Sequence, residues 1–430
     1  MKIYNYNRSN RREIEKLFKR PSIDNNSIYK IVEPIISDVK RNGDNAVIRY
    51  ARKYDRFTGK SIKVSKKELS DAGKKISSDL KEAIGLSIRN IEKFHMKQFP
   101  RNYSMETIKG VLCGRKFTPI ENVGLYIPGG TAVLISTIIM LAIPAKIAGC
   151  KRIVICSPCN GEKLSDAVLY TAKCLGIDEV YKVGGAQAIA VMAYGTKKVK
   201  KVDKIFGPGN QYVTAAKSLV SIDTDGCTID MPAGPSELLI IADRTANPVF
   251  VAADLLSQAE HGKDSQVILL TTDSALAKSV KRQIDIQIKQ LPRENIAKQS
   301  LKSSFILVVK NLTEALKLSN YYAPEHLIMN FDKTENYLDK IKNAGSVFIG
   351  PYSPESAGDY SSGTNHSLPT YGYAKSIGGV SVEMFMKSIT FQRITKSGLK
   401  RISKPVIKLA KTENLEAHAN AVKVRIKDEY

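Results

Sequence analysis

Between Val123 and Ile349, short β-branched and apolar runs alternate with stretches of helical periodicity, and glycines and prolines mark the joints. No other feature restricts the fold as strongly. Arg152 to Pro158 (RIVICSP) reads as a strand, followed by a helix over Lys163 to Leu175. Glu179 to Gly185 and then Ala186 to Tyr194 repeat the pattern, and Asp203 to Gly207 leads into a helix over Gln211 to Val220. After Gly234 it resumes, with Ser236 to Ala242 as strand, Pro248 to Glu260 as helix, Gln266 to Thr271 as strand and Ser274 to Gln290 as helix. Phe305 to Val309, His326 to Met329 and Ser346 to Ile349 supply further strands. Helical crossovers of about 10 to 15 residues return the chain to the same end of a sheet, so the strands run parallel under helices on both faces.

The expected fold is therefore α/β, with two Rossmann-like, parallel-rich βα domains, a helical N-terminal region and a small C-terminal dimerisation arm. Segments such as Ser27 to Arg41 and Ser65 to Lys97 carry apolar residues three and four apart among charges. The division expected is an N-terminal arm at 1–24, a discontinuous first α/β domain from 25–128 plus 237–380, a second at 129–236, and an arm at 381–430 packing on a partner subunit. From about Ser353 the pattern loosens into a polar, Gly/Ser-rich loop and then a basic tail, with a short helix near Leu415 to Lys423.

A chain of 430 residues exceeds one compact core, which agrees with two domains. The longest apolar run, Ile135 to Ile147, includes Pro144 and Lys146 and falls short of the roughly 18 residues that span a bilayer. It reads as a core helix. Met1 to Arg20 has no signal-like apolar segment, so a cytoplasmic protein is expected. The six cysteines read as reduced thiols, the Cys156–Cys159 pair included. Net charge is +24, which raises nucleic-acid binding. Residues 1–120 hold 28 Lys/Arg against 13 Asp/Glu, but these charges sit singly between apolar residues, as on solvated helix faces. No RNA-binding aromatic motif accompanies them. Neither nucleic acid nor membrane is an expected partner.

Four of the five histidines lie in segments that also carry carboxylates or amides. In the helix opened by Asn247-Pro248, Gln258 and His261 stand three apart near the C-terminus. That spacing serves two ligands on one metal, or equally an exposed amide with a histidine favoured by the helix dipole. Glu325-His326 follow a proline at a helix-to-strand junction, where both can face a pocket: imidazole suits proton abstraction and a carboxylate suits water activation. A polar pair closing a strand end is the plainer reading. Pro354 to His366 is a loop with Asp359, a hard ligand type for zinc, and His366. Glu413 and His418 stand five apart around the final helix and carry no signal alone. The glycine turns at Val183 to Gln187 and Gly207 to Asn210 stand where doubly wound sheets meet phosphates, yet neither is a G-x-G-x-x-G.

Seven motifs in order resemble the histidinol dehydrogenase family over nearly the whole chain. They are VGLYIPGG (123–130), VGGAQ (183–187), FGPGNQYV (206–213), IDMPAGPSELL (229–239), LLSQAEHGKDSQ (255–266), APEHL (323–327) and GDYSSGTNHSLPTY (358–371). The resemblance implies two successive NAD-dependent oxidations, L-histidinol to L-histidinal and then to L-histidine, with one zinc per subunit of a homodimer. It implies zinc ligands at Gln258, His261 and Asp359, with His418 given by the partner subunit. It implies His326 as general base and Glu325 as activator of water. Ser236, Gln258, His261, His326, Asp359, His366, Glu413 and His418 would line the substrate site, and Tyr126, Gln187 and Asn210 would contact NAD. No cysteine occupies a catalytic setting, so aldehyde oxidation would proceed through a hydrate. The competing reading is a zinc-dependent hydrolase of a small polar metabolite, which shares the ligands but has no use for Tyr126, Gln187 and Asn210.

Overall fold

Each strand expected between residues 152 and 349 forms, its ends moved by no more than three residues. The computed structural model describes residues 1–7, 11–21, 25–129, 134–232 and 234–427, so Gly130 and Ala233 of the quoted motifs lie outside the described residues. Two all-parallel sheets result. The five-stranded sheet has the spatial order Glu179–Lys182, Arg152–Ser157, Asn122–Tyr126, Lys204–Phe206, Thr228–Ile229. The six-stranded sheet has the order Lys2–Asn5, Phe305–Val308, Gln266–Thr271, Glu237–Ala242, His326–Asn330, Ser346–Ile349.

The side-chain period of two explains why the central strands read as continuous apolar runs. Leu238, Ile240, Val267 and Leu269 join one buried cluster, while Leu239, Ile241, Ile268 and Leu270 join another on the opposite face. Helices cover both. The helix Ile135–Ala148 is apolar on almost every side and lies mostly inside, with Thr137 and Met140 fully buried and Lys146 exposed in its last turn.

Three features depart from the sequence reading. The helices Asn25–Tyr54 and Ser78–His95 bury Val32, Val47, Ile84 and Ile91 in the same core as Val123, Ile155 and Ile205. Residues 25–128 therefore share a core chiefly with 129–236, joined by Val380, while the strands from Glu237 on build two other clusters, because a helix stripe says which face is apolar but not which sheet it meets. The N-terminal arm at 1–24 contributes the edge strand Lys2–Asn5, paired in parallel with Phe305–Val308. The arm from 381 is also more ordered than a basic tail. Met386–Ile394 pairs antiparallel with Val111–Pro119, which pairs with Tyr103–Ile108, and the helices Lys396–Thr412 and Glu416–Ile426 follow. Its strand partner lies more than 250 residues upstream, so no local turn signal announces it.

Candidate active site

Glu237, Gln266, His326 and Ser346 each open their strands, so the N-terminal edge of the six-stranded sheet is where the intervening helices end. The helix Pro248–Ala259, capped by Asn247 accepting from the Val249 amide, delivers Gln258 and His261 to that edge. The helix Leu312–Tyr322 stops at Ala323, whose φ of 55° turns the chain through Pro324 into Glu325 and His326. Helix C-termini carry roughly half a negative charge, which biases this edge toward cations. The five-stranded sheet does the reverse. Its glycine turns lie at the C-terminal strand ends, where helices begin and anions are favoured.

Around the first edge, residues distant in sequence meet. Ligand atoms of His261, Glu355 and Asp359 lie within 4.8 Å of one another. Gln258 is 1% exposed; its Nε2 donates to Glu355 Oε1, and Ser257 Oγ donates to Glu355 Oε2 at 2.8 Å. His326 Nε2 stands 3.9 Å from Asp359 Oδ1, and His326 Nδ1 is 3.5 Å from Glu325 Oε2. His366 Nδ1 donates to the Asp359 carbonyl at 3.0 Å, and its Nε2 lies 3.3 Å from Thr137 Oγ1. Ser236 Oγ is 3.5 Å from His261 Nδ1. Gln258, His261, Glu325, His326, Asp359, His366 and Ser236 thus form one constellation.

Crowded carboxylates govern its electrostatics. Burial pushes Asp359 up to about 8, with Glu355 adding to the rise and His326 opposing it. Asp254, one turn before Gln258, is pushed up to about 7 by burial and by Glu355. For His326, burial disfavours the charged ring, but Glu325, Glu355 and Asp359 outweigh it and carry the group up to about 10. Burial takes His366 down to about 4, which keeps it neutral. Gln258 Oε1 and His326 Nε2 are buried atoms without a hydrogen-bond partner. An amide oxygen, an imidazole nitrogen and a carboxylate around a negative edge make a donor set that suits a divalent ion such as zinc. The orphaned Gln258 oxygen is left free because Glu355 engages the amide's other end.

At the opposite edge, Tyr126 Oη accepts from the Gly185 amide at 3.2 Å, and burial raises the phenol. Gln187 is 1% exposed and donates to Asp55 Oδ2 at 3.2 Å, which also accepts from Gly184 at 2.8 Å. Asn210 Oδ1 caps the helix Gln211–Ile222 through the Tyr212 and Val213 amides. Gly207 is obligatory: its φ is 123°, and a Cβ there would lie 2.2 Å from the Tyr126 carbonyl oxygen. Strand order reverses beside Tyr126, between Asn122–Tyr126 and Lys204–Phe206, the usual position of a ligand crevice.

Glu413 and His418 do not join the cluster within one chain; both are exposed on the C-terminal helical hairpin. Glu355 escaped the sequence reading, although it stands four residues before Asp359 on the short helix Glu355–Tyr360, a spacing that puts both on one face. Asp55, Arg20 and the buried Lys217–Asp230 pair gave no local signal at all. His95 is structural, with Nδ1 bonded to the Ile91 carbonyl at 2.8 Å.

A family model described as histidinol dehydrogenase matches residues 18–426. Histidinol dehydrogenases from Bacteroides thetaiotaomicron and Campylobacter jejuni are 51% and 50% identical, each alignment covering 99% of both chains. A crystal structure of histidinol dehydrogenase from Elizabethkingia anophelis superposes with a TM-score of 0.95 at 50% identity, over 99% of this chain and 98% of that one.

Proposed function

The chain belongs to the histidinol dehydrogenase family, NAD-dependent oxidoreductases of histidine biosynthesis, and from that premise we propose how its own residues carry out the two oxidations. Family membership displaces the hydrolase reading. In the proposal Gln258, His261 and Asp359 hold zinc, with His418 of the partner subunit. When bound, the ion would anchor the substrate and so supply orientation.

With a bound cation offsetting the carboxylates that raise it, His326 would be neutral and would take the alcohol proton at Nε2 as the carbinol carbon is oxidised to the aldehyde; NAD would supply the hydride acceptor for both oxidations. Glu325 would take a proton from water as its oxygen adds to that carbonyl, forming the alkoxide of the hydrate. Loss of a second hydride from that alkoxide would leave the carboxylic acid, which gives up one proton to become the carboxylate. Two NADH form per histidinol. Ser236 and His366 would line the substrate together with Glu413 and His418 of the partner subunit, and Tyr126, Gln187 and Asn210 would contact NAD. The observation that supports this most is His326 Nε2, a buried and unpartnered nitrogen facing Asp359 within the cluster.

The shared site requires a homodimer. Tyr103, Met105, Ile389 and Phe391 leave exposed apolar and aromatic surface on the antiparallel sheet, and Leu409 and Val424 do so on the helical hairpin. A second subunit covering them would bring His418 to a neighbouring site. An enzyme spending NAD in amino-acid synthesis is placed in the cytoplasm by the same reading. Among the described residues no helix is long and apolar enough to cross a membrane.

Glu325→Gln tests the central assignment. Supplied separately with histidinol and histidinal, the variant should lose the aldehyde step by about 10²- to 10⁴-fold and the alcohol step far less. Equal losses would remove Glu325 from water activation.

A further inference from the structure

Both members of the Glu325–His326 couple are held by the backbone of one residue that is not itself part of the chemistry. The Glu237 amide donates to Glu325 Oε2 at 2.8 Å, and the Glu237 carbonyl accepts from His326 Nδ1 at 3.1 Å. A carbonyl can only accept, so this bond fixes a proton on Nδ1 and leaves Nε2 to face the cluster. The Glu237 side chain turns the other way, 3% exposed, into a clamp. Arg20 meets it with Nε at 2.5 Å and Nη2 at 2.8 Å, a two-pronged pair, and the Tyr371 amide donates to Oε1 at 2.7 Å.

Arg20 also reaches the chain that delivers the couple. Nη2 donates to the carbonyls of Tyr322 and Ala323 at 2.8 and 3.2 Å, and the guanidinium lies 4.0 Å over the Tyr322 ring. These carbonyls end the helix Leu312–Tyr322, where a cation also answers the helix dipole. One side chain from the N-terminal segment therefore fixes the strand that supports Glu325 and His326, and the turn from which they emerge.

We propose that Arg20, acting through Glu237, is a positioning residue for the Glu325–His326 couple. Lysine cannot replace it, since an ammonium offers no planar fork to a carboxylate and stacks poorly on an aromatic face. The proposal rests on the catalytic reading of the couple.

The test uses zinc-loaded dimeric enzyme with Arg20→Lys and, separately, Glu237→Gln. Each should keep zinc content and the KM for NAD within about twofold while kcat falls roughly 10- to 100-fold, the scale of an ångström-sized misplacement. The alkaline and acid limbs of kcat/KM against pH should move, because the support that fixes the His326 proton has loosened. Added guanidinium should restore part of kcat to Arg20→Ala. Folded variants with wild-type kcat and unmoved limbs would overturn the proposal. So would failure of both variants to fold, which would assign the pair to stability alone. Parallel His326→Gln and Glu325→Gln enzymes separate the two readings: if these retain activity, the couple's own assignment falls. If they lose it while the Arg20 and Glu237 variants do not, only the positioning claim falls.

Discussion

Replacing Asp55 by Asn should stabilise this protein, and the gain should depend on pH in a way the structure dictates. Burial pushes the Asp55 carboxyl from 3.8 up to about 6, against the Gly184 and Gln187 hydrogen bonds that favour its charge. At 1.36 kcal/mol per pH unit, this amounts to about 3 kcal/mol against the ionised form in the folded chain. The folded state holds the proton more tightly than the unfolded one, so stability falls as pH rises from about 4 to about 6, and the whole penalty stands above that. Asparagine never ionises, and its amide oxygen still accepts from Gly184. Asp55→Asn should therefore gain up to about 3 kcal/mol at pH 8, or roughly 3 °C in melting temperature for a chain of 430 residues, and almost nothing near pH 4. Thermal melts and urea titrations at pH 4, 5, 6 and 8 measure this. A variant no more stable at pH 8, or one whose gain is equal at all four values, would refute the argument from burial.

Three other perturbations follow from the same geometry. Lys217→Met leaves Asp230 buried without its cation. Because Asp230 also accepts from the Gly207 amide at 2.8 Å, the change should lower stability by about 3 to 5 kcal/mol and raise the KM for NAD; an unchanged denaturation midpoint would contradict it. In metal-free protein, Asp359 titrates near 8, so zinc must displace its proton, and apparent zinc affinity should rise up to tenfold per unit between pH 6 and 8. Competitive chelator titration reads that slope, and Asp359→Asn should flatten it as it abolishes tight binding. Mixing inactive His418→Ala and His326→Ala subunits should return partial activity through hybrid dimers, and silence from mixed dimers isolated as such would remove His418 from the neighbouring site.

The comparison of sequence with structure turns on range. Strand and helix periods are local, so Gln266–Thr271 and Ser346–Ile349 are legible to the residue. The pairing of Met386–Ile394 with Val111–Pro119 is not, because its register is set by a contact that no neighbouring residue reports. The same holds at the site. Gln258, His261, Asp359 and the Glu325–His326 couple stand in recognisable segments, whereas Asp55, Arg20 and Glu237 are ordinary charged residues until the fold buries them.

By itself, the amino-acid order determined the alternation of strands and helices, the parallel sense of the two large sheets and the side chains available for chemistry, since backbone sterics and solvent aversion act within a few residues. Only the tertiary structure decided that the metal-type cluster gathers where helices end and the nucleotide-type turns where helices begin. Helix dipoles have a direction in space, and their effect on a charge depends on which ends the folded chain brings together.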